Sequence, residues 1–537
     1  MRKFWKRLVP VLVTAAMVMT GCGGGSSAPA ATTGSTGSDA ATAATAAAVS
    51  YRDTINIAVQ QEAPSLDLHK NSSLVARTMC RGTVWEQLVT LNGSGEAVPE
   101  LCESVETNAD SSEFIFHLRK GVLFHDGSEM TSADVVASMN RWIEGFSTAK
   151  SLAGDARFEA VDDYTCKITL ANPCVTFLSV IAGSAQPAAI TTEEACANED
   201  ENGFLKEYIG TGPYKFVEWE LNQYILLEKF ADYVPYGDPD AEMDGWAGYK
   251  HAYTEKLYFW YVQDATTRAA GLQTGQYDCI EGVSSDNYDM VANTDGIKIE
   301  QYQGGTVALV FNKKEGVASN EYFRQAVNAA TDCEQLLRAV YGNFYDLGSC
   351  YMDDAQAFWV TDAGAENYNK RDVAKAKELL EKAGYNGETF RILTSNGAAA
   401  QQGMLVWQEQ LKEAGINSEL LIFDWATFTQ YRTDPSAFDV YYTSFASVPV
   451  PSLKLYFGPT YPGWSADETL QKYVTTFNTS ATLDEAKASW ETLQGYSWEY
   501  LPLINVGHYL STMGYQDYVE GLNFYSGMYY WNARIPE

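Results

Sequence analysis

Hydrophobic patterns typical of strands and of helices alternate along the chain from residue 51 to its end, and this alternation restricts the fold strongly. Residues 54–59 alternate apolar and polar side chains, as a half-buried strand does. Apolar residues at helical spacing predict helices over 323–341, 372–384, 400–414 and 483–499. Such alternation favours α/β lobes over a β-sandwich or a helix bundle. The 537 residues suffice for three or four structural units of about 100–200 residues each.

A hairpin followed by a capped helix is predicted in the first part of this region. Residues 114–118 and 121–124 are short strand-like runs, and His125-Asp126-Gly127 supplies turn residues. Thr131 with Asp134 three residues later is typical of a helix start. The helix then carries an apolar stripe made of Val135, Val136, Met139 and Trp142. Because such a stripe usually packs in a core, we interpret this segment as structural.

Two glycine-containing segments are predicted to separate structural units. Residues 210–214, with the sequence Gly-Thr-Gly-Pro-Tyr, interrupt the hydrophobic pattern and are expected to bend the chain between lobes. Gly304-Gly305 is expected to divide a strand-rich region from a further lobe. Both positions therefore become candidate domain boundaries.

The amino terminus has the features of a secretion signal. Four basic residues precede an apolar run over 8–18, which is too short to cross a bilayer comfortably as a helix. The run ends at Met19-Thr20-Gly21-Cys22, which resembles a bacterial lipobox. We therefore predict a signal peptide over 1–21 and lipidation of Cys22. An ordinary secretory cleavage site with a chance cysteine is the alternative.

Residues 22–50 are rich in Gly, Ser, Thr and Ala. This composition cannot bury enough apolar surface to offset the entropy lost on ordering, so we predict a flexible linker. The expected arrangement is a soluble body, outside the cytoplasmic membrane, that a lipid at Cys22 ties to the membrane surface. The protein would face the periplasm or the outer surface of the cell.

The charge balance argues against one class of partner. The chain has 37 Lys and Arg against 69 Asp and Glu, for a formal net charge of −32. An acidic surface of this size repels phosphate backbones, so we predict no nucleic-acid binding. Aromatic residues make up 13% of the chain, and their flat faces with polar tips suit contact with a small ligand.

No catalytic or metal-binding motif is recognisable in the sequence. The five histidines are scattered, and the acidic residues over 238–244 lack the glycine and the closing glutamate of a calcium loop. We therefore predict no catalytic residue, no metal and no cofactor. Eight cysteines remain besides Cys22, at irregular spacing. The sequence is compatible with disulfides between these cysteines and with free buried thiols.

Several segments resemble one family, the oligopeptide- and dipeptide-binding (family 5) solute-binding proteins of ABC importers. The longest similarity runs from Phe114 through Gly127 and continues over 131–142. Shorter similar segments follow the family's order along the chain: Pro64–Asp67, Gly210–Tyr214, Arg268 with Gly275–Asp278, Phe311-Asn312, Arg324–Ala326 with Thr331-Asp332, Ala376–Leu380 and Ala383–Tyr385. The resemblance covers essentially residues 51–537.

The resemblance implies a two-lobed, periplasmic-binding-protein-like α/β fold of class II type with an extra inserted domain. Domain I would comprise 51–95, 210–303 and 503–537, domain II the insertion 96–209, and domain III residues 304–502. A monomeric protein of this kind closes its lobes around a solute. It then docks on ABC transporter permease subunits, while separate ATPase subunits hydrolyse ATP. It binds the solute without transforming it, so it is not an enzyme.

In this family the ligand tends to contact an exposed strand of the far lobe, which here corresponds to residues 439–447. Strand addition would let main-chain amides hold any peptide. The residues predicted to line the cleft are Tyr442, Thr443, Ser444, Phe445, Ala446 and Ser447, with Asp424 and Trp425 nearby. The alternative is that this stretch is only a buried strand of the lobe.

One departure from the family pattern concerns the charge after this strand. Peptide binders of the family carry an aspartate there for the ligand's α-ammonium, whereas residues 447–452 of this chain contain no carboxylate. Either another acid such as Asp424 substitutes, or the ligand is an oligosaccharide, a metal chelate or a modified peptide. Two other roles stay open, namely a secreted hydrolase and a peptide-signal sensor that takes no part in uptake.

Overall fold

The computed structural model describes residues 50–71 and 73–537. The predicted signal peptide, the lipidation site Cys22 and nearly all of the linker lie outside the described residues. The described residues group into one compact unit. In the described part of the chain, no helix combines the length and the apolar character needed to cross a membrane.

Fourteen α-helices lie in the described residues. In chain order they are α1 Leu74–Cys80, α2 Ser132–Gly145, α3 Ser147–Ala153, α4 Phe177–Ile181, α5 Glu193–Ala197, α6 Ala265–Gln273, α7 Ser285–Ala292, α8 Glu321–Ala330, α9 Cys333–Tyr341, α10 Val373–Ala383, α11 Ala398–Glu413, α12 Trp425–Tyr431, α13 Glu468–Asn478 and α14 Leu483–Tyr500. The predicted helices over 372–384, 400–414 and 483–499 are confirmed as α10, α11 and α14.

Seventeen strands alternate with these helices over the same described ranges. They are β1 Thr54–Val59, β2 Val89–Leu91, β3 Ala97–Pro99, β4 Cys102–Thr107, β5 Glu113–Leu118, β6 Glu159–Asp162, β7 Thr165–Thr169, β8 Tyr214–Glu220, β9 Tyr224–Lys229, β10 Lys256–Tyr261, β11 Cys279–Glu281, β12 Ile297–Phe311, β13 Tyr345–Asp346, β14 Phe390–Ser395, β15 Ser418–Phe423, β16 Val440–Ala446 and β17 Leu503–Gln516. The strand predicted over 54–59 is confirmed as β1.

Most strands belong to one mixed sheet of 11 strands, in the order β15-β14-β16-β12-β17-β11-β1-β10-β9-β8, with β13 paired to β17. The antiparallel pair of β12 and β17 forms a long ribbon in its middle. β11 joins one end of the ribbon at Tyr515, and β16 joins the other end along 305–311. We call the part with β11, β1, β10, β9 and β8 the near half, and the part with β16, β14 and β15 the far half.

A separate four-stranded sheet, in the order β4-β5-β7-β6, packs with α2 around a core that includes Phe114, Phe116 and Trp142. The predicted start of α2 is confirmed, because the Asp134 carboxylate accepts from the Thr131 backbone N–H and hydroxyl, each at 2.9 Å. The strand predicted over 121–124 is wrong. These residues form a turn that keeps a single bridge, between Leu123 and Glu129.

Two further boundaries differ from the predictions. The helix expected over 323–341 is two helices, α8 and α9, because the Asp332 side chain accepts from the Gln335 N–H and starts a new helix. The break expected at Gly304-Gly305 lies inside β12, where the register shifts at a bulge. Gly305 has φ +148°, and a side chain there would collide with the Phe445 carbonyl, so the glycine permits a bulge instead of a loop.

The eight cysteines of the described part are all free thiols, and seven of them are buried. Burial raises their pKa values, to about 11 for Cys174 and about 12 for Cys166. These thiols therefore stay protonated and unreactive at neutral pH.

Candidate ligand-binding cleft

A cavity of about 160 Å³ lies where the near half, the region of the four-stranded sheet and the far half meet. Its lining residues come from three separate parts of the chain: Arg77 of α1; Ala185 and Gln186 of the loop after α4; and Phe445, Ala446, Val448, Leu453, Lys454, Leu455 and Tyr456, at the end of β16 and in the segment after it. A ligand in this cavity would contact all three regions at once.

A second cavity of about 380 Å³ adjoins the first, and Lys454 and Leu455 line both. It lies between α3, the segment 451–462 and α13. Ligand pockets usually measure about 300–1,000 Å³, so the first cavity alone would take only a small solute. We place the candidate site in the smaller cavity because that cavity, unlike the larger one, is lined by β16 and by Arg77 of the near half.

Polar contacts close the cleft between the four-stranded-sheet region and the far half. The Thr176 and Ser452 hydroxyls lie 3.3 Å apart. The Val175 N–H donates to the Ser480 carbonyl at 3.0 Å, and the Ser111 hydroxyl donates to the Ala481 carbonyl at 3.0 Å. The two regions are therefore in direct contact beside the cavity.

The strand predicted to line the cleft, β16, contributes two of its expected residues to the cavity, Phe445 and Ala446. Tyr442 and Thr443 are buried, and the Tyr442 hydroxyl lies 3.2 Å from that of Tyr341. Ser444 is exposed, and the Ser447 N–H donates to the Gly304 carbonyl at 3.0 Å.

One edge of β16 is largely free among the described residues. β16 pairs with β12 along its whole length, over 440–446. On its other side, β14 pairs only with Val440 and Tyr441. The stretch from Tyr442 to Ala446 thus has no strand partner on that side, and its last two residues, Phe445 and Ala446, line the cavity. A free strand edge of this kind can receive an extended peptide.

Asp424 and Trp425 lie away from this cavity, at the end of the outermost strand of the far half. Asp424 begins α12, and its carboxylate accepts from the Thr427 N–H at 3.0 Å and from the Thr427 hydroxyl at 2.7 Å. These hydrogen bonds lower the pKa of the Asp424 carboxyl. Trp425 is 60% exposed and stacks on Phe428. Their contact with ligand stays a prediction.

Arg77 is a cleft residue that sequence reasoning missed. It is 4% exposed, on a helix whose other buried residues are mostly apolar. Its Nη1 donates to the Ser184 carbonyl at 3.0 Å, whereas its Nε has no hydrogen-bond partner among the described residues. Burial lowers the pKa of this guanidinium. A cation inside an apolar helical run was the signal that could have identified it.

Lys454 is the second cation that was missed. It is 4% exposed, and its Nζ has no hydrogen-bond partner in the described ranges. Burial lowers the pKa of the ammonium, and the nearby Asp353 carboxylate opposes this shift. Burial would raise the pKa of Asp353, but Lys454 and His508, whose Nδ1 lies 2.9 Å from Oδ1, hold it below its usual value.

Comparison with known proteins identifies the family. Residues 96–464 match the family described as "Bacterial extracellular solute-binding proteins, family 5 Middle". The chain belongs to this family. The resemblance that the sequence motifs indicated is thereby confirmed, and the family acts outside the cytoplasm, as expected. Its members bind solutes and are not enzymes.

Among relatives of this family 5 protein, a probable peptide ABC transporter periplasmic-binding protein of Sinorhizobium fredii is 26% identical over 470 residues, covering 82% of this chain and 86% of the relative. The glutathione-binding protein GsiB of Pectobacterium atrosepticum is 27% identical over 381 residues, covering 68% of this chain and 69% of the relative. Both similarities span most of each protein.

Solved structures support the predicted two-lobed α/β fold, which is confirmed. The dipeptide-binding protein of Pseudoalteromonas sp. SM9913 in complex with Met-Leu has a TM-score of 0.76 at 21% identity, and the match covers 90% of this chain and 100% of that one. AgaA of A. tumefaciens R10 in complex with agropinic acid also has a TM-score of 0.76, at 24% identity, with 90% and 99% covered. These similarities establish the fold.

Proposed function

We propose that this family 5 protein captures a peptide or a peptide-like solute in the cleft beside β16 and delivers it unchanged to an ABC importer. Its partners would be the permease subunits of the importer, with separate ATPase subunits supplying energy. The protein would act as a monomer, tied to the outer side of the cell membrane by a lipid on Cys22.

The observation that carries this proposal is the free edge of β16, whose last two residues line a cavity. The backbone of Tyr442–Ala446 has no ladder partner on that side among the described residues. Main-chain hydrogen bonds along such an edge would hold a peptide irrespective of its side chains. The similar proteins named for peptides and for glutathione agree with a peptide-like solute.

We also propose the domain division 51–95 with 210–303 and 503–537, 96–209, and 304–502. The ribbon of β12 and β17 is shared by the near and far halves of the sheet, which supports two crossings of the chain between the lobes. Bulges at 303–305 and 307–308 in β12 supply local irregularity where a hinge would bend.

A second candidate is a non-peptide solute in the same cleft. The segment 447–452, where a carboxylate for a peptide ammonium would be expected, has none, and Val448 lines the cavity instead. An oligosaccharide, a metal chelate or a modified peptide would not need that charge. The proposed role in import is the same for either solute class.

Isothermal titration calorimetry with a library of di- and tripeptides and a parallel set of oligosaccharides tests the proposal. We expect saturable heat with peptides or blocked peptides. Heat with oligosaccharides alone would move the assignment to the second candidate. Turnover of a bound compound, or unchanged uptake of that compound after gene deletion, would contradict the role in import.

A further inference from the structure

We propose that the protein has a second ligand site, separate from the candidate cleft, which binds an organic cation with N–H groups, such as a diamine. The site is a cavity of about 520 Å³ between α14, β17 and the segment 348–362. In the described part of the chain, it shares no lining residue with either cavity of the cleft. Ligand pockets usually measure about 300–1,000 Å³, so this volume suits a small organic molecule.

His508 of β17 forms the inner wall of this cavity. Its side chain is only 4% exposed, and its Nδ1 lies 2.9 Å from Oδ1 of the fully buried Asp353. Its Nε2 has no hydrogen-bond partner among the described residues and is not fully shielded from solvent. A Cβ added at Gly348, which also lines the cavity, would lie 2.9 Å from Nε2. A buried imidazole thus directs one unpartnered nitrogen into the cavity.

Asp353 decides which hydrogen-bonding role is left for this nitrogen. Burial would raise the pKa of the Asp353 carboxyl, but Lys454 and His508 keep it below its usual value, so the group is ionised. An ionised carboxylate can only accept, so the Nδ1 of His508 carries the proton and donates it to Asp353. In the neutral imidazole, Nε2 is then an acceptor with a free lone pair. A ligand that fills this place must supply a hydrogen-bond donor.

Carboxylates dominate the open side of the cavity. Asp354, Asp362 and Glu491 line it and are exposed, whereas Lys487 is the one cation in the lining. The Lys487 ammonium donates to two backbone carbonyls of the segment 348–362, at 2.6 and 2.9 Å. Among the described residues, none of the three carboxylates takes part in an ion pair. The excess of negative charge favours a cationic ligand.

The arrangement fits an organic cation and not a metal ion. A histidine whose Nδ1 faces a carboxylate is common among metal ligands. In the described ranges, however, no three His, Cys, Asp or Glu side chains converge so that they could hold an ion. A molecule with two amines can place one ammonium on the His508 Nε2 and the other on a carboxylate at the open side. Such charge-assisted hydrogen bonds are the strong ones.

Calorimetric titration of the full chain with matched cations tests the proposal. The probes are hexamethylenediamine, its fully N-methylated form hexamethonium, which keeps both charges but has no N–H, and Ni²⁺ alone. The pH is about 8, where amines are cationic and free imidazole is neutral. We expect the diamine to bind at least about 10-fold more tightly than hexamethonium. Equal binding of the two, binding of Ni²⁺ without the diamine, or no heat with any probe would overturn the proposal.

Two substitutions locate the diamine. His508→Asn removes Nε2 but keeps an amide N–H for Asp353, and we expect it to weaken the diamine about 10-fold. Glu491→Gln removes an exposed charge at the cavity and should weaken it about 2- to 5-fold. Glu499→Gln is the matched control, because it lies on the same helix, is exposed and does not line the cavity. Wild-type affinity in both cavity variants would overturn the proposal.

A cleft variant separates this site from the solute cleft. Val448→Phe narrows the small cavity beside β16, so it should leave the affinity for the diamine unchanged. A loss of diamine binding in this variant would place the diamine in the cleft and overturn the second site. Because the two sites share no lining residue, either result leaves the proposed capture of a solute standing.

Discussion

Glu281, at the end of β11, shows how burial sets the charge of single residues around the cleft. Its side chain is buried, and the Thr78 hydroxyl donates to Oε1 at 3.2 Å. Loss of hydration raises its pKa to about 7, although the Thr78 hydrogen bond and the charge of Arg268 oppose the shift. Between the ordinary pKa of a glutamate and about 7, the folded protein therefore holds a proton that the unfolded chain has released.

Because of this retained proton, the free energy of unfolding depends on pH. Because the folded state binds more protons than the unfolded state between about pH 4.5 and 7, the free energy of unfolding falls as pH rises through that window. Glu281→Gln removes this dependence. Between pH 4.5 and 8 the free energy of unfolding of the wild type should therefore fall by about 3 kcal/mol relative to that of the variant. Urea unfolding at both pH values measures the difference, and parallel profiles would contradict the account.

Single residues also show what sequence reasoning could and could not find in the site. Phe445 and Ala446 were predicted from the resemblance to the family and line the cavity. Arg77 and Lys454 were missed because they are distant in the chain and line the same cavity only in the folded protein. Asp424 looked like a spare carboxylate in the sequence, but local hydrogen bonds make it the cap of α12.

At the scale of elements, the decisive feature is the irregular ribbon of β12 and β17. Sequence patterns predicted α2, α10 and α14, since caps and apolar stripes are local, but they missed the cap Asp332 that starts α9. The long strand β12 was divided at its glycines, because a glycine pair signals a loop as readily as a bulge. Only pairing with β16 and β17 distinguishes the two, and that pairing is non-local.

The bulge glycine allows a direct test. Gly305→Ala forces a side chain into φ +148° and against the Phe445 carbonyl. We expect a loss of about 1–3 kcal/mol in the free energy of unfolding. Gly384→Ala is the matched control, because Gly384 has φ +70° but an added Cβ meets nothing within 4 Å. For this variant we expect a loss of about 1 kcal/mol in the free energy of unfolding. Equal losses in the two variants would show that the close approach in β12 is unimportant.

At the scale of the whole molecule, the fold places regions distant in sequence around one cavity. The polar contacts of Thr176, Val175 and Ser111 bridge two of the regions that surround it. Contacts of this kind can open at modest cost, which suits a protein that must release its solute. The sequence indicated this architecture mainly through family motifs, since periodicity alone cannot show which lobes face each other.

The proposed lipid anchor is tested at the same scale. Cys22→Ala removes the thiol that would be acylated, so the variant should appear in the medium or in the soluble periplasmic fraction, while the wild type sediments with membranes. Cys196→Ala, in the folded body, is the control and should stay with the membranes. Membrane retention of the Cys22 variant would contradict lipidation at this residue.

Small-angle X-ray scattering of the full chain tests the central claim, that the protein closes around its solute, most directly. The radius of gyration is measured for the protein without solute and for the protein saturated with a peptide or oligosaccharide that gives heat in the calorimetric titrations. We expect a smaller radius with solute, because binding shifts an open–closed equilibrium towards the closed arrangement. An unchanged radius at proven saturation would contradict the account.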